Sequence, residues 1–434
     1  MYCLCGGEPV EIYVVQAGDT LFSVGARFGV PPTRLAAENG LLPDAALAVG
    51  QALVILTAET VHTVREGETL SDIANAFGVS VRALYRNNPA LHGLPTLYPG
   101  QTLVIRFTDT PTVPLQVSSY AYPNIPDRQL RSILPYLTYL APFTYGFTES
   151  GTLVPLDDNR LLAVTRDYGT LPLMHISTLT ETGVFSNALA HAILNDETAG
   201  DLLISEIVRT VTEKGYAGAD VDFEFILPED ALAYGAFLER LHAELAAIDR
   251  LLFSALAPKT SADQPGLLYQ GHNYAAVSAA VDFVLLMTYE WGYTYGPPMA
   301  VAPLPNVRRV LSYALTEMPA SKIFLGAPNY GYDWTLPYVR GESRAVSLSP
   351  ERAVALAVQY GAQILYDETA QSPYFYYTDE TGRAHVVWFE DPRSIRARLA
   401  LPAEENLTGV GFWDAMRPAT ANFMVLSAMY RIVE

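Results

Sequence analysis

At 434 residues the chain has room for about three domains, and with half its residues hydrophobic and 17% charged it is expected to bury sizeable cores rather than stay disordered. The formal net charge is −19 and only three lysines occur, Lys214, Lys259 and Lys322. That argues against nucleic acid or an anionic membrane as the main partner, since both call for clustered positive charge. The longest apolar stretch, near residues 275–288, is broken by Asp282, so no membrane-spanning helix is expected.

The first eight residues, Met-Tyr-Cys-Leu-Cys-Gly-Gly-Glu, show neither a basic segment nor an apolar one, and no secretory signal is expected. Cys3 and Cys5 are the only cysteines, too close together for an unstrained disulfide, and they are read as reduced. The histidines (His62, His92, His175, His191, His242, His272 and His385) show no metal-ligand spacing, so neither a metal nor another cofactor is expected.

The next hundred residues contain a repeat. Val15-Gln-Ala-Gly-Asp-Thr-Leu21 recurs as Val64-Arg-Glu-Gly-Glu-Thr-Leu70, Phe28-Gly-Val30 as Phe77-Gly-Val79, Leu35 as Leu84 and Asn39 as Asn88. Gly50-Gln51 then matches Gly100-Gln101 after one inserted residue. Each unit (11–57 and 60–106) reads strand, two helices, strand, with Thr20 or Thr69 near the first helix start. These motifs resemble the LysM module, a β-α-α-β fold that binds glycans containing N-acetylglucosamine, such as peptidoglycan and chitin. The resemblance implies grooves formed by Gly18, Asp19, Thr20 and Leu47 in one repeat, and by Gly67, Glu68, Thr69 and Leu97 in the other. Helix capping is the alternative role for Thr20 and Thr69.

Residues 107–114, rich in Thr and Pro, read as a short stiff linker. Beyond it, apolar strand-like runs near 115–121, 138–146, 171–176, 216–224, 250–256, 281–289, 322–328 and 408–414 alternate with helical stretches such as 186–213 and 230–247. Eight β-then-α units predict an α/β fold, a (β/α)8 barrel over 115–434. The gap after the seventh strand is too long for one helix and holds strand-like runs at 374–378 and 384–389, so a small α+β insertion is expected over about 333–392.

The fourth predicted strand carries Asp220, Asp222 and Glu224 at alternate positions, hence on one face. That spacing alone is weak, because about 0.5 such triplets are expected by chance in a chain this acidic. Its place in a barrel gives it meaning: active sites of such barrels lie at the C-terminal strand ends, where Glu224 is expected. Tyr120, Tyr145, Met287, Tyr289, Tyr330 and Trp413 are expected to point inward at other strand ends, and aromatic faces beside carboxyls suit a sugar. Three close carboxyls cannot all stay ionised, so Glu224 can keep a proton and act as general acid while Asp222 stays negative.

Residues 217–224, AGADVDFE, resemble the fourth-strand motif D-x-x-D-x-D-x-E of glycoside hydrolase family 18; Met287-Thr-Tyr289 and Trp413 resemble its strand-six and strand-eight features. Glu290-Trp-Gly, Gly296-Pro-Pro-Met, Tyr330-Gly-Tyr-Asp-Trp-Thr-Leu-Pro-Tyr338 and His385-Val-Val-Trp-Phe-Glu-Asp391 are similar to the spore cortex-lytic, SleL-like branch of that family. The resemblance implies substrate-assisted retention. In it Glu224 is acid and base, Asp222 orients the 2-acetamido group with Tyr289 donating to it, Asp220 supports, and Glu290 joins the substrate contacts. It further implies a monomeric N-acetylglucosaminidase acting on peptidoglycan in the spore, made in the cytoplasm; a chitinase and a non-catalytic glycan-binding coat protein are the alternatives. Ala217 departs from the motif's first aspartate, which leaves the acid column one member shorter, its foot open, and the relay through that position in doubt.

Overall fold

The computed structural model describes residues 10–179 and 185–434. Cys3 and Cys5 lie outside the described residues. Each N-terminal repeat is a strand, two helices and a strand: Glu11–Val14, Leu21–Phe28, Pro32–Glu38 and Ala52–Ile55, then Ala58–Thr63, Leu70–Phe77, Val81–Asn87 and Thr102–Phe107. In each the two strands pair antiparallel. The repeated asparagine explains itself: Asn39 Nδ2 donates to Leu35 O and Val54 O while its Oδ1 accepts from Val54 N, which ties the second helix to the last strand. Asn88 does the same with Leu84 and Val104.

Eight parallel strands follow: Pro114–Ala121, Tyr139–Pro142, Leu171–Ser177, Gly218–Asp222, Leu251–Leu256, Phe283–Leu286, Ile323–Pro328 and Gly409–Trp413. Each pairs with the next, and the eighth pairs with the first through Gly409↔Gln116 to Phe412↔Ser119, closing a barrel. The predicted helical stretch 186–213 is two helices, Asn187–Asn195 and Glu197–Lys214, parted at Asp196, whose carboxylate accepts from Thr198 N and Ala199 N to cap the second. The stretch predicted at 230–247 is the helix Ala231–Ala246. Inside the barrel, Tyr139, Leu173, Phe253, Leu285 and Phe324 form an apolar plug.

After the seventh strand the chain leaves the barrel into an antiparallel five-stranded sheet, ordered Val346–Leu348, Gly331–Thr335, Ala384–Trp388, Ser372–Thr378, Leu365–Asp367, with the helix Pro350–Gln359 packed on it. The first repeat is docked here. Ala48 is part of the insertion's apolar cluster, Ile364 N donates to Val49 O at 2.9 Å, and a Cβ on Gly50 would lie 1.9 Å from Ile364 O. The second repeat docks on the barrel through Arg86, which donates to Pro135 O at 2.9 Å, and Arg82, which donates to Leu137 O. Among the described residues no helix is long and apolar enough to cross a membrane.

Candidate active site

Three of the predicted strands overshoot by two residues or more. Strand four ends at Asp222 rather than 224, strand six at Leu286 rather than 289, and strand two at Pro142 rather than 146. At the first two exits the chain turns through left-handed backbone, at Phe225 (φ 57°) and at Glu290 (φ 66°), so extended structure cannot continue although the alternation of side chains does. Glu224 therefore sits in the turn beyond the strand, half-buried at the mouth, while Asp220 and Asp222 lie on the strand with 3% and 6% of their surface exposed. The turn is held from behind. His272 Nδ1 accepts from Ala257 N, leaving Nε2 to donate to Phe223 O at 3.0 Å, and the Phe223 ring stacks on Tyr234 and Phe237.

The electrostatics separate the three acids. Burial pushes Asp220 up to about 6; His175 opposes that rise, Asp222 adds to it, and a bond from Tyr120 opposes it. Glu224 is pushed well above the usual carboxylate range, first by burial, then by the charges of Asp222 and Glu290. A carboxyl so placed favours its protonated form and can give that proton to a leaving group. Tyr289 is buried, and its hydroxyl is raised by that burial and then by Asp222, Glu224, Glu290 and Asp220, so it stays a donor. Gly326 on strand seven makes room for it, since a Cβ there would lie 2.9 Å from the Tyr289 ring.

Glu290 closes the site opposite. Burial raises its carboxyl, while the hydroxyls of Tyr330 and Tyr332 both donate to it, Tyr332 at 2.9 Å, which favours its charge. Arg417, ion-paired to Asp414 at 2.8 Å, stands over the Tyr330 ring. Glu290→Gln is expected to move the alkaline limb of kcat/KM to lower pH. A protonated Glu224 is needed below its own raised pKa and is lost as pH rises through it, and Glu290 is one of the charges doing the raising. The check is a pH–rate profile; a limb that stays put or moves up refutes this coupling.

An aromatic wall lines the other side. The Trp413 ring lies 5.4 Å from Tyr120 and 5.1 Å from Phe143, and Met287 packs beside the same cluster. Tyr120, Met287, Tyr289, Glu290, Tyr330 and Trp413 are thus gathered with the acids. Tyr145 is not. Its hydroxyl donates to Asp158 at 2.6 Å and accepts from Lys214 at 2.8 Å, and its ring packs in the layer between barrel and helices. The second strand stops at Pro142 and Tyr145 bridges instead to Ile176, so counting alternate residues along one strand picks the wrong face; Phe143 takes the inward place. Tyr145→Phe is expected to lower unfolding free energy by about 2 kcal/mol in a denaturant titration while leaving kcat within about twofold.

Ala217 lies at the foot of the acid column, packed against the apolar plug. It precedes the strand, about 10 Å of strand rise before Asp220, at the N-terminal end of the barrel in a pocket of about 620 Å³ with Arg166, Tyr216, His242, Arg250 and Asp282. The foot of the acid column is closed by the apolar plug rather than left open.

In the repeats, the motif acids are engaged locally: Asp19 accepts from Gln16 N and Tyr13 OH, Glu68 from Arg65 N and His62. Thr20 and Thr69 both cap helices. Gly18 and Gly67 are exposed at φ 89° and 81°, and Leu47 and Leu97 are half-buried. The flanking loops differ, for Ala48 is buried against the insertion whereas its counterpart Tyr98 is 68% exposed.

Residues 173–417 match the model of glycosyl hydrolases family 18, and 13–56 and 62–106 match LysM. The chain belongs to glycosyl hydrolases family 18. This family 18 chain is 36% identical over 434 residues to a cortical fragment-lytic enzyme of Bacillus anthracis, covering 98% of this chain and 99% of the relative. It is 45% identical over 304 residues to one of Bacillus subtilis, 70% of each. Among solved structures, the spore cortex-lytic enzyme SleL of Bacillus cereus superposes with a TM-score of 0.83 over 98% of both chains at 35% identity. A chitinase of Chromobacterium violaceum gives 0.67 at 25%, covering 72% of this chain and 98% of that one. The chain is a glycoside hydrolase with two LysM domains ahead of a (β/α)8 barrel.

Proposed function

We propose that this glycoside hydrolase is a peptidoglycan N-acetylglucosaminidase acting on spore cortex during germination, through a retaining, substrate-assisted mechanism. The observation that carries the mechanism is the division of the acids. Glu224 is held protonated at the mouth, Asp222 lies two residues deeper, and the Tyr289 hydroxyl is fixed as a donor beside both. Glu224 gives its proton to the glycosidic oxygen as the substrate's own acetamido oxygen attacks the anomeric carbon. Asp222 orients the acetamido N–H and faces the positive charge of the oxazolinium ion, with Tyr289 donating to the same group. Glu224, now a carboxylate, takes a proton from the water that opens the ring. The acetamido requirement places N-acetylglucosamine at the cleaved position. The likeness to the cortical fragment-lytic enzymes supports cortex as substrate and the spore as location.

Mass spectrometry of spore cortex digested with wild type and with Glu224→Gln tests this: the expected products carry N-acetylglucosamine at the new reducing end and are missing with the variant. Ends in muramic acid refute the bond assignment. The likeness to a chitinase favours a second reading, chitin-like oligosaccharides as substrate; turnover of these at least as fast as of cortex fragments would select it.

The repeats tether the enzyme to insoluble wall and raise local substrate concentration. Because the loop after Leu47 is docked and the loop after Leu97 is open, Leu97→Asp is expected to weaken co-sedimentation with insoluble peptidoglycan about tenfold and Leu47→Asp about twofold, with turnover of soluble fragments unchanged. Equal effects of the two, or a loss on soluble fragments, overturn that assignment.

A further inference from the structure

His175 lies on the third barrel strand, directly across from Asp220 in the register of strands three and four. It is fully buried and walled off from substrate: Phe143 stacks on its ring at 4.7 Å and Tyr120 meets it edge-on at 5.3 Å. Its Nδ1 is 2.7 Å from Thr144 Oγ1, which also lies 3.0 Å from Ser177 Oγ. Its Nε2 reaches Asp222 Oδ2 at 3.6 Å. His175 Nε2, Asp220 Oδ1 and Asp222 Oδ1 are all buried without a hydrogen-bond partner among the described residues. An unsatisfied buried polar atom costs on the order of 1–3 kcal/mol, so three around one carboxylate mark a place arranged for something other than stability.

We propose that His175 is a positioning residue for Asp222, its Nε2–H being the fixed donor against which the catalytic carboxylate is oriented. The inference rests on the role given to Asp222 above. Nδ1 is engaged by Thr144, so Nε2 is the ring nitrogen left to face Asp222, and a hydrogen on it aims at Oδ2. The 3.6 Å gap is too long for a hydrogen bond and becomes one when Asp222 moves by about 0.6 Å. Asp222 needs such a partner. Its neighbours on either side along the chain, Asp220 and Glu224, are carboxyls, and Arg417, the cation on the Glu290 side, is committed to Asp414 and to the face of Tyr330. A donor from strand three favours the anionic carboxylate, fixes one of its oxygens and leaves the other for the acetamido N–H. Asp220 and Tyr120 border the same space, and His175 opposes the burial that raises Asp220. His175 thus bears on both aspartates without touching substrate.

Two isosteric variants separate this from simple packing. Glutamine can place an amide N–H near the position of Nε2, whereas asparagine reaches only the position of Nδ1 and keeps the Thr144 contact. His175→Asn is expected to lower kcat about 30-fold with KM within about twofold, the size seen when a partner behind a reacting group is removed. Its affinity for a glucosamine-fused thiazoline, a mimic of the oxazolinium ion, should fall in parallel. His175→Gln should recover kcat to within about fivefold of wild type, and both variants should unfold within a few degrees of it. Wild-type kcat in His175→Asn, or equal losses in both variants that track their loss of thermal stability, overturn the proposal. If wild type itself does not bind the thiazoline, the substrate-assisted reading fails, and the Gln-against-Asn comparison of kcat still decides the role of His175.

Discussion

Replacing Glu224 by glutamine is expected to lower kcat on soluble glycans by at least about 100-fold while KM changes less than about threefold. Glutamine keeps the shape of the side chain and its place in the turn after Phe223, so substrate binding should survive. What it lacks is a transferable proton, and among the described residues no other carboxyl at the mouth is placed to supply one. Glu290 accepts from two tyrosine hydroxyls, and Asp220 lies deeper, beneath the substrate-facing Asp222. The residual activity should lack the wild-type alkaline limb, because that limb belongs to the residue removed, so the loss is largest below the limb and shrinks as pH rises through it. Unchanged turnover by Glu224→Gln would sink the acid–base assignment, and a loss confined to KM would make Glu224 a binding group.

The barrel was legible because its signal is redundant. Eight strand-length apolar runs in register with helical stretches leave few other folds, and an error in one run changes little. The repeats were legible for a similar reason, since two copies of one pattern check each other. Their asparagines and threonines prove to be what the local fold needs, a helix-to-strand clamp and a cap. Errors concentrated at strand exits. There the period of two persists in the sequence after the strand has ended: a left-handed turn at Phe225 moved Glu224 off strand four, and the early stop of strand two at Pro142 moved Tyr145 out of the site.

His175 was weighed only for metal-ligand spacing, which one histidine cannot show. The available signal was a single ionisable residue within an apolar run predicted to be a barrel strand. Docking of the first repeat was not legible at all, because Ala48 and Gly50 acquire their meaning only from Ile364, more than 300 residues away.

The Asp222→Asn variant is expected to lose about 100- to 1,000-fold in kcat, as when a group that stabilises transition-state charge is removed. The argument is electrostatic. The oxazolinium ion is positive and forms in a chamber closed below by an apolar plug, where a carboxylate attracts it more strongly than in water and an amide does not. The neutral ground state feels that charge far less, so KM should stay within about threefold. Asparagine also removes one of the two charges raising Glu224, so the alkaline limb of the residual activity should move to lower pH, in the same direction as for Glu290→Gln. Substrates whose acetamido group carries fluorine separate this charge effect from mere misplacement. Fluorine weakens the carbonyl oxygen as a nucleophile, and the wild-type rate should fall steeply from acetamido to trifluoroacetamido. A flat response in the wild type would mean that the acetamido oxygen is not the attacking group. A wild-type slope together with an unimpaired Asp222→Asn would keep substrate assistance and take Asp222 out of it.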